Sequence, residues 1–129
     1  EHVSKVRGGY ETNILAMEVG SFFIDNYNII LNQIKIVKKG FKFLVSQLKK
    51  SKIEHNGAVH GNYIFINLKS KKKSLFVTDF LKQKRIFVRT GWPSPFNQGF
   101  SLTGADIKIM KKFFYVFQKA LSAYNKKKN

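Results

Sequence analysis

The sequence predicts an α+β fold, a two-layer sandwich in which helices pack on one face of a small mixed or antiparallel sheet. Long segments near both ends of the chain place apolar residues at helical steps of three and four. Short segments in the middle are instead rich in β-branched and aromatic residues, which favour strands. The predicted order is helix, helix, strand, short helix, strand, strand and long helix, within one domain of 129 residues.

Two helices are predicted in the first part of the chain. Residues 12–26 carry one apolar stripe, formed by Leu15, Val19, Phe22 and Phe23. Asn26 or Asn28 is expected to end this helix and to cap the next. The second stripe comprises Ile30, Ile34, Val37, Phe41, Leu44 and Leu48. Gly40 lies within that helix at a cost of about 1 kcal/mol relative to alanine, which packing is expected to offset.

The middle of the chain is predicted to form the sheet. Residues 63–68, "YIFINL", are expected to be a strand mostly buried on both faces, after a shorter strand near residues 53–55. "RIFVR" and "GFSLT" are predicted as the next two strands. Residues 70–84, which lie between "YIFINL" and "RIFVR", should form a short helix. Its expected inward positions are Leu75, Phe76, Phe80 and Leu81.

A long helix is predicted to close the domain. Its apolar positions are Ile107, Met110, Phe114, Phe117, Leu121 and Tyr124. The Thr103 hydroxyl is expected to cap its first turn, with the Asp106 carboxylate at its positive end. Residues 125–129, "NKKKN", are expected to be a frayed basic tail.

The charge of the chain is strongly positive, at +17 from 24 Lys and Arg against 7 Asp and Glu. Such a field attracts polyanions. However, lysines outnumber arginines 21 to 3, and lysine lacks the planar fork with which arginine grips phosphate or reads guanine. Since the lysines occur in every predicted element, a solvated surface is favoured and a nucleic-acid partner is not expected.

Several classes of site and location are disfavoured by composition. Without cysteine the chain has no disulfides or thiolate metal site, and its three histidines lack zinc-ligand spacing. The apolar runs are too short to cross a bilayer, and no apolar signal core is present, so a cytoplasmic protein without a membrane partner is expected. No phosphate loop, dinucleotide fingerprint or nucleophile elbow occurs.

Three local patterns, taken in order, resemble the C-terminal small domain of class I/II pyridoxal-phosphate-dependent aminotransferases, most closely the histidinol-phosphate aminotransferase branch. "KVRGGYETNILAM" is similar to the linker that joins the large and small domains, with Lys5 to Arg7, Tyr10 and Asn13 at matching positions. "HGNYIFINL" is similar to the family's strand with Asn62. "IFVR" and the Gly/Pro-rich loop after it complete the likeness.

The resemblance implies three parts: residues 1–12 as a linker from a missing large domain, 13–124 as the small domain and 125–129 as a tail. The family's cofactor, pyridoxal 5'-phosphate, is bound by a lysine of the large domain. Since that motif is absent, the chain alone is expected to be inactive, with no catalytic or cofactor-binding residue. The implied parent is a homodimeric transaminase. The alternatives are a stand-alone module that binds a polyanion, and an inactive assembly domain.

By the resemblance, Arg89 binds the anionic end of the substrate, with Trp92 and Phe96 as an apolar wall and Asn62 nearby. Two alternatives remain: Arg89 is a strand-end surface charge, and residues 92–95 are a tight connection between two strands. The family's second arginine, which grips the amino-acid carboxylate, falls on Phe100 by counting back from Gly104. An aromatic residue cannot form that pair, which leaves altered substrate or lost activity open.

Overall fold

The predicted α+β fold class is confirmed by a computed structural model, which describes residues 13–58 and 61–127. Four α-helices are present: α1 (Ile14–Asp25), α2 (Tyr27–Lys50), α3 (Lys71–Gln83) and α4 (Ile107–Lys126). Three strands, β1 (Glu54–Gly57), β2 (Tyr63–Asn67) and β3 (Gly99–Thr103), form one antiparallel sheet in the order β1-β2-β3. The chain divides into two compact units, residues 1–34 and 35–129.

In the first unit, α1 is an apolar helix with no buried residue. Asn13 caps its start by accepting a hydrogen bond from the Ala16 amide at 2.8 Å, and Asn26 ends it, as predicted. The residues of its predicted stripe, Leu15, Val19, Phe22 and Phe23, are all exposed. Ile14, Met17 and Ile24, which lie outside that stripe, are exposed as well. The helix is therefore apolar around most of its circumference.

Among the described helices, none is by itself long and apolar enough to span a membrane. The pair formed by α1 and α2 meets the length and composition requirement only when the two are taken together, and they are bent by 83° at the break between them.

In the second unit, the helices cover one face of the sheet around a single core. Ile64 and Ile66 of β2 and Phe100 of β3 have no solvent exposure. The helical residues of this core include Phe41, Leu44, Leu48, Val77, Leu81, Met110, Phe113 and Phe117. The predicted burial of β2 on both faces is wrong, since Tyr63 is exposed and Phe65 and Asn67 are half-buried. One sheet face therefore belongs to the core and the other is available to line a site.

Glycine is required at position 40 because α2 lies very close to the backbone at the start of α4. A Cβ at this position would collide with the Ala105 carbonyl oxygen, in the backbone that leads into α4. The position of a Cβ is fixed by the backbone of α2, and the oxygen belongs to the backbone before α4, so neither atom can move unless its element moves. The glycine thus allows α2 to approach the start of α4.

Replacement of Gly40 by alanine is expected to destabilise the protein by about 1–3 kcal/mol, because overpacking outweighs the better helix propensity of alanine. Urea denaturation of Gly40→Ala measures the change. Gly20, which has open space around it, is the matched control within α1. Gly20→Ala should be neutral or stabilising, and equal effects of both changes would contradict the close contact.

The prediction that "RIFVR" forms a strand is wrong. Only Arg89 pairs with β3, in an isolated antiparallel bridge in which its backbone exchanges two 2.9 Å hydrogen bonds with that of Ser101. Gly91, with φ of +83°, then turns the chain, and Pro93 and Pro95 have no amide hydrogen to extend a ladder. The segment therefore touches the outer edge of β3 at a single point.

Helices α3 and α4 differ from the prediction in detail. In α3 the inward stripe consists of Ser74, Val77, Thr78 and Leu81, whereas Leu75 is exposed. Ser74 is inward because its hydroxyl donates to the Gly99 carbonyl at 3.2 Å. The cap of α4 is Asp106, which accepts from the Ile109 amide at 2.8 Å, because Thr103 ends β3. Helix α4 also continues to Lys126, so the tail predicted from residue 125 is partly helical.

Candidate functional site

A cleft of about 330 Å³ opens on the sheet face opposite the core, and it brings together the three residues singled out in the sequence. Its lining residues are Asn62, Tyr63, Arg89, Trp92, Ser101 and Thr103. Tyr63 pairs directly with Thr103 across β2 and β3. The Arg89 bridge to Ser101 places the guanidinium-bearing residue beside the same two strands. The volume suits a small ligand or one end of a larger one.

Arg89 and Trp92 stack on each other at this cleft. The guanidinium carbon of Arg89 lies 4.5 Å from the centre of the Trp92 ring, a cation–π distance. Gly91 lies between them with a left-handed backbone, which reverses the chain so that the ring returns over the arginine. The stacking restricts the arginine side chain while its N–H groups remain available to an anion.

The indole of Trp92 holds a buried donor without an acceptor. Its Nε1 has no solvent access and no hydrogen-bond partner among the described residues. Leaving such a donor unpaired costs about 1–3 kcal/mol. An acceptor supplied from outside these residues would therefore stabilise the loop that carries Trp92.

Phe100 cannot occupy the place of a substrate-binding arginine, because it faces the core. Its ring is fully buried and packs 6.4 Å from Phe113 and 6.0 Å from Phe117, centre to centre. The residues of β3 that line the cleft are Ser101 and Thr103. This alternation follows directly from the two-residue period of a strand. Counting back from Gly104 thus pointed to a residue on the core face of the sheet. The two-residue period of "GFSLT" was the signal in the sequence that places Ser101 and Thr103 together on the opposite face, at the cleft.

Phe96 does not form the wall predicted beside Trp92. It lies outside the cleft lining, in a short 3₁₀ turn, and its ring meets that of Phe65 edge-to-face at 6.0 Å. Asn62 does line the cleft, and its carbonyl also accepts the Gly104 amide at 2.8 Å. The linker positions Lys5, Arg7 and Tyr10 lie outside the described residues.

The cleft is suited to binding an anion. Among the described residues, its lining holds one permanent cation, Arg89, together with hydroxyl and amide groups, and no carboxylate, imidazole, amine or thiol. The Tyr63 phenol is the one group of this described lining that is known to act as a general acid or base in proteins. In the described part of the chain, no cluster of three or more potential metal ligands occurs.

Comparison of the chain with protein-family models, with curated proteins and with solved structures found no match.

Proposed function

We propose that this chain is the small domain of a histidinol-phosphate-aminotransferase-like, pyridoxal-phosphate-dependent transaminase, and that its Arg89 cleft binds the anionic end of the substrate. The observation that carries the proposal is the meeting of Arg89, Trp92 and Asn62 in one cleft. These residues were selected through the family likeness, and they are separated by up to 30 positions in the sequence. Their convergence is expected for a substrate pocket.

The chemistry of the cleft supports an anionic ligand. Arg89 supplies a planar fork of donors for a phosphate or carboxylate, and the hydroxyls of Ser101 and Thr103 add neutral donors nearby. Trp92 forms an apolar wall beside them. The residues bind and orient, and the chemical step belongs to groups outside the cleft, as a small domain in a two-domain enzyme requires.

The exposed apolar surface of α1 supports a larger assembly. Its exposed residues include Ile14 and Leu15, each 73% exposed, and Ile24, 74% exposed. A helix that is apolar around most of its surface is normally buried in a protein or a membrane. In the proposed enzyme the large domain covers α1, and two copies of the complete polypeptide form the homodimer.

The cofactor does not fit the cleft of this chain. Pyridoxal phosphate is held in such enzymes through a lysine amine, and none of the residues that line the cleft is a lysine. The proposal therefore assigns the cofactor to the large domain. The chain contributes only the substrate contact described above.

The chain alone is expected to form no stoichiometric adduct with pyridoxal phosphate. Titration followed by dialysis, visible absorbance and borohydride trapping measures this, with peptide mapping to locate any modified lysine. With 21 lysines, weak labelling spread over many positions is the expected background. One stoichiometric adduct on a single lysine would mean that the chain holds its own cofactor, which would overturn the proposed division of labour.

A further inference from the structure

A second cleft, on the helical side of the second unit, is lined entirely by lysine and aromatic side chains. It has a volume of about 290 Å³ and lies between the start of α3 and the end of α4. The lining residues are Lys72, Phe76, Tyr124 and Lys127. The rings of Phe76 and Tyr124 are 5.4 Å apart, and the Lys127 ammonium lies 5.4 Å from the centre of the Phe76 ring. Both rings are half-buried, so each keeps part of its surface open.

The lysines around this cleft are not neutralised by nearby acids. Lys71 and Lys73 flank Lys72 in the first turn of α3, and Lys126 precedes Lys127 at the end of α4. Helix α4 contains no acidic residue, and the single acid of α3, Asp79, lies two turns away from Lys72. Between described residues the one side-chain ion pair joins Lys69 to Glu54, at 3.5 Å. The charge of the cleft therefore remains available to a polyanion.

A further aromatic–lysine pair lies on the outer surface of α4. The Lys119 ammonium is 4.4 Å from the centre of the Tyr115 ring, and Tyr115 is 58% exposed. Lys119 and Tyr115 also line a shallow cleft with Lys126. Helix α4 thus carries an exposed ring beside a cation in addition to the half-buried Tyr124 of the cleft.

We infer that the α3/α4 cleft binds single-stranded nucleic acid without sequence preference. The combination of aromatic platforms for bases with lysines for the phosphate backbone is the one that such binding uses. The scarcity of arginine argues against sequence-specific recognition of base edges. It does not argue against the stacking of bases on aromatic rings, because every base has a face that can stack. An extended single strand exposes its bases to the rings, whereas a duplex keeps them stacked inside. This function is separate from that of the Arg89 cleft.

The test is a fluorescence anisotropy titration of the protein with a short dye-labelled oligothymidylate, and with a duplex of equal length. The single strand is expected to bind more tightly. Tyr124→Leu retains apolar packing but removes the platform, and it should weaken binding roughly five- to hundredfold. Tyr124→Phe keeps the ring and should restore most of the affinity. Circular dichroism of each variant verifies that the fold is intact.

The lysines are tested by their effect on the salt dependence. Lys72→Gln with Lys127→Gln should reduce the slope of log K against log salt by about 1.4, as two phosphate contacts to a single strand predict. The matched control, Lys49→Gln with Lys50→Gln at the exposed end of α2, removes the same charge elsewhere.

Three results would overturn the inference. Equal losses in the two double variants would mean that the whole basic surface binds polyanions indiscriminately. Unchanged affinity of both Tyr124→Leu and Phe76→Leu would exclude stacking on the two rings of the cleft. Tighter binding to phosphatidylserine vesicles than to the oligonucleotide would assign the cleft to an anionic lipid surface. Each of these outcomes leaves the proposed role of Arg89 untouched, because no residue is shared between the two clefts.

Discussion

Phe100→Arg is expected to abolish the folded domain instead of restoring a carboxylate-binding arginine. The substitution removes a fully buried aromatic ring from contact with Phe113 and Phe117. It also places a guanidinium, with no acid nearby in the core, among apolar side chains. The loss of packing and the unpaired buried charge together should cost at least about 4 kcal/mol.

Thr103→Arg is the matched control for this substitution. Thr103 lies on the same strand, is exposed and lines the cleft, so an arginine there should change the free energy of unfolding by no more than about 0.5 kcal/mol. Urea denaturation monitored by circular dichroism compares the two variants. If Phe100→Arg unfolds at the same urea concentration as Thr103→Arg, then Phe100 does not face the core as described.

If the chain belongs to the proposed transaminase, Arg89→Ala is expected to lower kcat/KM of that full-length enzyme roughly thirty- to thousand-fold, through the loss of a charged hydrogen-bonded contact worth about 2–4 kcal/mol. Arg89 is the one cation among the described residues that line the cleft, so its loss should not be compensated by another of them. Arg89→Lys should recover only part of the loss, because an ammonium keeps the charge but lacks the fork. Steady-state kinetics of the three proteins measures these effects.

Arg85→Ala provides the matched control for Arg89. Arg85 is exposed, does not line the cleft and lies just after α3, so its removal subtracts the same charge without touching the site. Its kcat/KM should be within about twofold of the original, as expected for a surface change. Equal losses in the Arg85 and Arg89 variants would reduce Arg89 to a surface charge.

The sequence predicted those elements whose apolar period is strong and whose partners lie in the same unit. In α2 and α4 the steps of three and four located the helices, and Phe41, Leu44, Met110 and Phe117 of their stripes are buried. Ile34 and Ile107, near the N-terminal ends of the same stripes, are exposed. Apolar periodicity did not predict the inward face of α3 near its start. Ser74 faces inward there because its hydroxyl donates a hydrogen bond to the Gly99 carbonyl, and not because its side chain is apolar. Periodicity detects apolar contacts and does not detect polar ones.

Helix α1 illustrates a different limit of sequence reasoning. The apolar pattern correctly indicated a helix that ends at Asn26, but it does not specify what covers the helix. An amphipathic stripe normally faces a core, whereas the described structure leaves Leu15 and Val19 exposed. Burial depends on the presence of a partner surface, and a pattern in one chain does not contain that information.

The candidate site was predicted in its residues but not in its construction. Arg89, Trp92 and Asn62 meet in the cleft, although Arg89 is held by one bridge and not by a strand. Conversely, the position expected to carry a second arginine lies in the core. Whether residues 86–90 pair along their whole length depends on the edge of β3 and on the turn at Gly91, both of which are tertiary features.

The most direct measurement of the central claim is a titration of the fluorescence of Trp92, the only tryptophan of the chain. Because its ring stacks on Arg89, an anion bound by the guanidinium should change its emission. We expect a saturable change with a phosphate monoester, a weaker one in Arg89→Lys and none in Arg89→Ala, with Arg85→Ala indistinguishable from the original protein. An emission that responds identically in the Arg89→Ala variant, or does not respond at all in the original protein, would contradict the assignment of this cleft as an anion-binding substrate site.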